Sequence, residues 1–228
     1  NDKMLIKNRK YNSDLSRSLF FLIIITIVGF IIRINYFPDN IPLTLDALRY
    51  FLLGTDISIL GNLPIHYDKP NSGWPLFLSV IFQIFRFENY IDYMTLQKIS
   101  SILFSVLTVI PVYFLAKRFF KQKLAMIGAS FFIFLPYIVE NSLLGITDSL
   151  FIFLIVSFLS LFFSDKKTSI ICSFFVLGIS SLVRYESLLL IIPTTIIFLA
   201  KYRSNISFRK FYWVGLALFF LAIIPMAL

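Results

Sequence analysis

The sequence has little cysteine, histidine and charge, and each shortage narrows the class of protein. Its single cysteine, Cys172, allows no disulfide within the chain and lies in an apolar run, where a cysteine usually acts as a packing residue. Charged residues make up 14% of the chain and hydrophobic residues 58%, whereas soluble domains are about a quarter charged. These proportions exclude an ordinary soluble domain and predict an all-α, polytopic helical membrane protein.

The net charge is strongly positive, at +9, which taken alone could indicate a nucleic-acid partner. Basic residues beside apolar runs are, however, what the positive-inside rule requires of membrane proteins. We therefore expect no nucleic-acid partner and expect the chain to contact membrane lipids. The first apolar run follows a basic segment and has no Ala-x-Ala-like cleavage site, so it is interpreted as a retained membrane anchor.

Apolar runs of suitable length predict about seven transmembrane helices, since a span needs roughly 20 residues. The run at 74–87 is apolar but short, and we interpret it as a helix on the membrane surface. That choice places 15 basic residues on the cytoplasmic side and six outside, whereas a spanning 74–87 would place eight inside and 13 outside. The predicted spans are 18–36, 97–116, 123–140, 146–163, 168–184, 185–201 and 210–228.

This topology places the N-terminus in the cytoplasm and makes residues 37–95 a long external loop that carries two membrane-surface helices. Nine of the 12 acidic residues then lie on the outer face of the cell membrane, so we predict the active site there. The spans have no ionisable residue at their middle and no internal repeat, which argues against a transporter. Because the chain ends inside an apolar run, we expect 1–228 to be the N-terminal transmembrane module of a longer protein, without its C-terminal remainder.

A polar stretch at 44–75 carries the densest group of candidate functional residues. Thr44 is predicted to cap a short helix that ends at Gly54. An acid in the first turn of that helix would be kept ionised by the helix N-terminus and by a neighbouring cation, which suits a proton acceptor or a metal ligand. A simple ion pair within the helix explains the same spacing. The residues that share this helix face are Asp46, Arg49 and Tyr50.

The loop that follows adds a second group of polar side chains. Lys69 is a compact cation suited to a phosphate, although binding of lipid headgroups alone explains it equally well. Trp74 is of the type that lies at a membrane interface. His66, the only histidine, could bind a metal together with Asp68 or be an ordinary polar loop residue. Further polar groups predicted on the outer face, each explained singly by helix capping or by a helix dipole, are Asp148, Arg184 and Glu186.

In combination these residues resemble the multispanning, polyprenyl-phosphate-dependent glycosyltransferases of C-type fold, which include protein O-mannosyltransferases and the aminoarabinose transferases that modify lipid A. The resemblance covers residues 18–200. Asp46-Ala47-Leu48-Arg49-Tyr50 is similar to the Asp-x-x-Arg-Tyr element of that group, Tyr67-Asp68-Lys69-Pro70 to its Glu-Lys-Pro element, and Thr147-Asp148 to the acid that opens the fourth span. The strings N-S-G-W-P, G-I-T-D and L-V-R-Y-E look closest to archaeal members.

The resemblance implies an enzyme, a hexosyltransferase and in particular a mannosyltransferase. It would move a sugar with inversion from a polyprenyl (dolichyl) phosphate to a protein, lipid or glycan acceptor. By the same resemblance Asp46 is the catalytic base, and Arg49 and Lys69 contact the donor phosphate. Residues assigned to substrate binding are Tyr50, Asp68, Asp148, Arg184 and Glu186.

Two departures from that pattern leave the use of a divalent metal open. Ala47 stands where the group has the second acid of an Asp-Glu pair, and Asp68 stands in place of Glu before the lysine. His66 and Asp68 are the candidate metal ligands. Two other functions also remain open at this point: a flippase or transporter of lipid-linked glycans, and a catalytically inactive protein of the same fold.

Overall fold

A computed structural model describes residues 2–38, 41–43, 45–62, 71–203 and 206–226, with side chains described at 16–38, 41–43, 45–62, 71–203 and 210–225. All regular elements in these ranges are helical, which confirms the predicted all-α class. The helices are α1 (Asp2–Asn35), α2 (Leu45–Leu60), α3 (Gly73–Ile84), α4 (Tyr90–Leu107), α5 (Val109–Phe119), α6 (Gln122–Phe134), α7 (Pro136–Leu143), α8 (Asp148–Phe162), α9 (Lys167–Val183), a 3-10 helix (Tyr185–Leu190), α10 (Ile191–Lys201), α11 (Ile206–Ile223) and a terminal 3-10 turn (Ile224–Met226).

Two helical segments of the described chain are long and apolar enough to cross a bilayer. They are Ser16–Asn35 and Tyr90–Phe119, the second made of α4 and α5 in succession. A third span is formed if α6 and α7, which meet at a 47° bend, cross as one unit. Helices α3, α8, α9 and the Lys210–Ile223 part of α11 are apolar but shorter. These helices indicate a membrane protein, while the number of seven spans stays a prediction.

Two helices, α2 and α3, occupy the loop predicted at 37–95, and α4 begins within it. The expectation that the first of these ends at Gly54 is wrong, because α2 continues to Leu60 and ends before Gly61, whose φ is +73°. A Cβ on Gly54 would lie 2.9 Å from the Cβ of Leu78. The glycine therefore permits close packing of α2 on α3 rather than a helix end. Thr44, the predicted cap, lies outside the described residues.

Trp74 is at the centre of the core that holds α2 and α3 in place. It is fully buried, so its ring packs inside the protein and does not face lipid headgroups. Its ring stacks on Phe77 with centroids 5.5 Å apart, and its Nε1–H donates to the carbonyl of Gly145 at 3.2 Å. The core packs α2 and α3 against the start of α8 and the end of α9. Its buried members are Leu43, Ala47, Phe51, Trp74, Leu78, Phe82, Leu150, Leu154 and Val183.

Arg33, counted as an external charge in the predicted topology, is instead fully buried between α1, α4, α6 and α7. Its Nε donates to Ser142 Oγ and its Nη2 to Ser105 Oγ, each at 3.0 Å. Its Nη1 donates to the carbonyls of Gly29 and Ile133 at 2.9 and 3.2 Å. The Ile133 carbonyl is one that the break between α6 and α7 leaves without its usual helical donor. Arg33 thus joins α1 to both halves of the bent segment.

Lys98 is a second basic residue that the predicted topology counted as an external charge and that folds inward. It is 5% exposed, and its Nζ donates to the carbonyls of Ile41 at 2.6 Å and Pro38 at 3.3 Å. These bonds fix the connection between α1 and α2 to α4. The amino group therefore satisfies backbone oxygens that no helix pairs.

Candidate functional site

The predicted helix face at the start of α2 lies over a turn that precedes α8. Asp46 and Arg49 are exposed, Tyr50 is half-buried, and the intervening Ala47 is buried in the Trp74 core. Gln97 of α4 donates its Nε2–H bonds to the carbonyls of Ala47 at 2.9 Å and Gly145 at 2.8 Å. One buried amide therefore holds the first turn of α2 against the turn that leads into α8.

Tyr50 marks the point at which residues distant in the sequence meet. Its hydroxyl is hydrogen-bonded to the side chain of Thr147, and it experiences the charges of Asp46, Asp148 and Arg184. Burial raises the pKa of Tyr50, and the carboxylates of Asp46 and Asp148 raise it further, while the Thr147 hydrogen bond and the Arg184 charge act in the opposite direction. The phenol is therefore held in its neutral form at physiological pH.

An ion pair between Asp148 and Arg184 forms the other side of the site. Asp148 is the first residue of α8, and Arg184 follows the last residue of α9. Arg184 Nη1 lies 2.8 Å from Asp148 Oδ1, with side chains 38% and 27% exposed, and its Nε lies 4.0 Å from Glu186 Oε1. The guanidinium also lies over the ring of Phe151 at 5.3 Å. Three of the predicted substrate-binding residues are thus in one cluster.

The start of α3 is held against the same corner of the molecule. Asn71 Oδ1 accepts a hydrogen bond from the backbone N–H of Tyr185 at 3.0 Å, directly after Arg184. A Cβ on Gly73 would lie 2.7 Å from the backbone nitrogen of Val183, so glycine is required for this approach of α3 to α9. Asn71, the first described residue before α3, is in this way fixed to Tyr185, the residue that follows Arg184.

The two carboxylates of the site differ in their partners. Asp148 is paired with Arg184, whereas Asp46 forms no ion pair or hydrogen bond with the described side chains. The alternative of an ion pair between Asp46 and Arg49 within α2 is therefore not what the described chain shows. Arg49 likewise makes no ion pair with a described residue. Among the described residues, Asp46 and Arg49 thus present a negative and a positive group without an ion-pair partner at the exposed start of α2.

His66, Asp68 and Lys69 lie outside the described residues, so their predicted roles stay predictions. Within the described ranges, no three side chains of His, Cys, Asp or Glu converge as metal ligands would. The chemistry available to the described part of the site is therefore that of one unpaired carboxylate, one unpaired guanidinium, a neutral phenol and an ion pair.

Two residues that hold the site together were missed by the sequence reasoning. Gln97 is a polar residue at the start of an apolar run, and a buried amide in such a run is a signal of interhelical hydrogen bonding. Asn71 lies in the N-S-G-W-P string, but nothing in that string indicates which backbone group its side chain meets. Both act on backbone groups from another part of the chain, which a single sequence does not reveal.

Comparison with protein families gave a match over the later part of the chain. A family model described as dolichyl-phosphate-mannose-protein mannosyltransferase matches residues 73–228, which is more than half of the chain. The matched range includes Asp148, Arg184 and Glu186 and begins after Asp46 and Arg49. Comparison with curated proteins and with solved structures gave no match.

Proposed function

Since the chain belongs to the dolichyl-phosphate-mannose-protein mannosyltransferase family, and is therefore a membrane-bound glycosyltransferase with a polyprenyl-phosphate sugar donor, we propose that it transfers a mannosyl residue to an acceptor hydroxyl on the outer face of the cell membrane. The acceptor is a protein, lipid or glycan. The observation that carries the proposal is the convergence on Tyr50 of Asp46 from its own helix and of Thr147, Asp148 and Arg184 from the adjoining ends of α8 and α9.

Asp46 is the catalytic base in this proposal. A base must hold an unshared electron pair close to the acceptor hydroxyl, and Asp46 is the exposed carboxylate of the cluster that no described cation neutralises. Asp148 is already paired with Arg184, so one of its oxygens is engaged by the guanidinium. Its remaining lone pairs can accept hydrogen bonds from sugar hydroxyls, which suits substrate binding.

Arg49 and Lys69 have the role of phosphate ligands in this proposal. As Asp46 takes the proton, the acceptor oxygen forms a bond to the anomeric carbon, and the bond from that carbon to the phosphate oxygen breaks. Polyprenyl phosphate leaves with the electron pair, and fixed cations stabilise the charge that develops on it. Arg49 is exposed and unpaired among the described residues, and Lys69 precedes Asn71 by two positions in the sequence. A single displacement inverts the anomeric configuration.

A transfer assay tests the proposal. The full-length protein, in nanodiscs, would be given a polyprenyl-phosphate mannose labelled in the sugar, together with a membrane extract as the source of acceptors. We expect labelled product, release of polyprenyl phosphate and a product anomer opposite to that of the donor. No transfer and no release would contradict enzymatic function and favour an inactive protein. Retention of configuration would contradict the single displacement.

A comparison of two arginine variants tests whether Arg49 binds the donor phosphate. Arg49→Gln should lower single-turnover transfer by about 10²-fold, the loss expected when one donor to a developing anion is removed. Arg86 is an exposed arginine of the same predicted loop and serves as the matched control, Arg86→Gln. Equal losses in the two variants would show that these cations act only through general attraction of an anionic lipid.

A further inference from the structure

A cavity of about 270 Å³ lies at the other end of α2 from the proposed transfer site. It is enclosed by the C-terminal half of α2, the end of α3, the connection 85–89 and the start of α4. Ser58 lines it, and Ser58 follows Tyr50 by eight residues, which is about 12 Å along a helix. The cavity is therefore separate from the site that contains Tyr50.

Aromatic rings make the walls of this cavity rigid. The ring of Tyr93 meets those of Phe82 and Phe87 edge-to-face, with centroids 5.2 Å apart in both pairs. The Tyr93 hydroxyl accepts a hydrogen bond from the backbone N–H of Phe87 at 2.9 Å, which fixes the connection before α4. Tyr90 is 67% exposed at the opening. The apolar surface is thus formed before any ligand binds.

The polar groups of the cavity are mostly hydrogen-bond acceptors. Thr55 Oγ1 and Ser58 Oγ each donate their proton to a backbone carbonyl of α2, at 2.9 and 2.7 Å, so they present lone pairs to the cavity. Glu88 is exposed and forms no ion pair or hydrogen bond with a described residue. The Tyr93 hydroxyl keeps its own proton for donation, since it accepts from Phe87.

We propose that this cavity binds one pyranose ring of a carbohydrate. A pyranose has apolar C–H faces that pack on aromatic rings and several hydroxyl groups that donate to carboxylate and hydroxyl oxygens. The volume lies just below the roughly 300–1,000 Å³ of pockets for drug-sized ligands, which suits one ring rather than an extended ligand. A quaternary ammonium ion would use the aromatic rings and Glu88 but donates no hydrogen bond to Thr55 or Ser58. The proposal does not depend on the transfer reaction.

Saturation-transfer NMR tests this proposal directly. The full-length protein would be placed in nanodiscs free of glycoside detergent, with the methyl glycosides of mannose, glucose and galactose as probes. We expect transfer to the C–H protons of at least one glycoside. Tyr90→Ala should reduce the signal severalfold by removing an aromatic contact, and Glu88→Gln should reduce it by removing the charged acceptor. Absence of transfer to all three glycosides would overturn the proposal.

Three further variants locate the bound sugar. Tyr137→Ala and Glu140→Gln remove an exposed tyrosine and an exposed acid of α7, outside the cavity, and should leave the signal unchanged. Asp46→Asn should also leave it unchanged. A signal lost in Asp46→Asn but kept in Tyr90→Ala would place the sugar in the transfer site and overturn the proposal. Binding of tetramethylammonium, lost in Tyr90→Ala, without binding of any glycoside would identify a cation site instead.

A nanodisc that contains a monomannosyl diacylglycerol distinguishes two sources of the ring. Competition of this lipid with the soluble glycoside would show that the cavity receives the headgroup of a glycolipid. Undiminished glycoside binding would show that the cavity receives soluble or protein-borne carbohydrate. Thermal unfolding of each variant shows that its fold is retained, and Tyr93→Phe, which removes only a hydroxyl, serves as a second variant if Tyr90→Ala unfolds.

Discussion

At the scale of single residues, Tyr50 is the side chain whose properties depend most clearly on distant parts of the chain. Its burial and its two neighbouring carboxylates raise its pKa, against the effects of Thr147 and Arg184. A tyrosine with a raised pKa in the folded state stabilises the fold below its ordinary pKa, near 10, and this stability is lost as the pH rises through the folded value. Stability falls as the pH rises in this range because the folded state binds more protons there than the unfolded state does.

This gives a pH-dependent prediction for Tyr50→Phe. Between about pH 9 and 11, around the ordinary tyrosine pKa, the melting temperature of the unmodified protein should fall more steeply than that of Tyr50→Phe. Tyr137→Phe is the control, because Tyr137 is an exposed tyrosine on α7. Parallel pH profiles for all three proteins, measured by thermal unfolding in nanodiscs, would contradict the burial and charges assigned to Tyr50.

Arg33 gives a prediction about stability. Arg33→Met keeps an apolar stem but removes the donors to Ser105, Ser142 and two carbonyls. Each buried acceptor left unpaired costs about 1–3 kcal/mol, so the melting temperature should fall by several degrees. Arg86→Met, at an exposed position, should change it little. A melting temperature of Arg33→Met equal to that of the control would show that the buried hydrogen bonds contribute no net stability.

The sequence did not distinguish Arg33 and Lys98 from exposed basic residues. Hydropathy locates charged residues relative to apolar runs, and both lie near the ends of such runs. It does not indicate whether a long basic side chain extends to water or folds back to backbone carbonyls. The grouping of Asp46, Arg49 and Tyr50 on one face, in contrast, follows from helical periodicity alone, and α2 has the helical form that this grouping requires.

At the scale of helices, the contact between α3 and α9 is the one that positions the site. Gly73→Ala would place a Cβ 2.7 Å from the backbone nitrogen of Val183, and this backbone cannot move without displacing Arg184. We expect a loss of about 1–3 kcal/mol from overpacking, with reduced transfer activity.

Gly128→Ala is the matched control for this contact. Gly128 lies inside α6, where an added Cβ meets no atom of another helix within 4 Å, so alanine there should stabilise the protein by up to about 1 kcal/mol. Thermal unfolding and the transfer assay check both variants. Equal stability and activity of Gly73→Ala and the unmodified protein would contradict the close approach of α3 to α9.

Helix ends were the least predictable feature at this scale. A glycine after an apolar periodic segment often ends a helix, and Gly54 fits that pattern. The contact with Leu78 reverses the interpretation, because a glycine inside a helix also lets a second helix approach. Which of these two uses applies depends on what packs against the residue. Tertiary contacts of this kind are not visible in the local sequence.

At the scale of the whole molecule, the positive-inside rule predicts that the connection 85–89 and the C-terminal end of α7 lie outside and that the turn between α5 and α6 lies inside. After replacement of Cys172, single cysteines at the exposed residues Asn89 and Glu140 should react with an impermeant thiol reagent added to intact cells. A cysteine at exposed Lys121 should react only after permeabilisation. Reaction at position 121 in intact cells, together with protection at position 89, would contradict this topology. It would show that 74–87 crosses the membrane.

Composition and charge were sufficient to predict the fold class of the whole molecule. The scarcity of charge and the apolar runs predicted an all-α membrane protein, which the described helices confirm. The resemblance to glycosyltransferases rested on short strings around Asp46, Lys69, Asp148 and Arg184, and the family match covers the later two. The arrangement of the site was not predictable in the same way. It depends on the Trp74 core and on Gln97, which bring α2, α8 and α9 together.

Transfer by Asp46→Asn is the measurement that tests the proposed function most directly. Asparagine keeps the shape of the side chain but cannot accept a proton, so the single-turnover rate should fall by on the order of 10²-fold or more, while binding of the donor persists. Asp56→Asn changes another exposed acid of the same helix and should leave the rate near that of the unmodified protein. A near-normal rate for Asp46→Asn, with the donor bound, would contradict the assignment of Asp46 as the base.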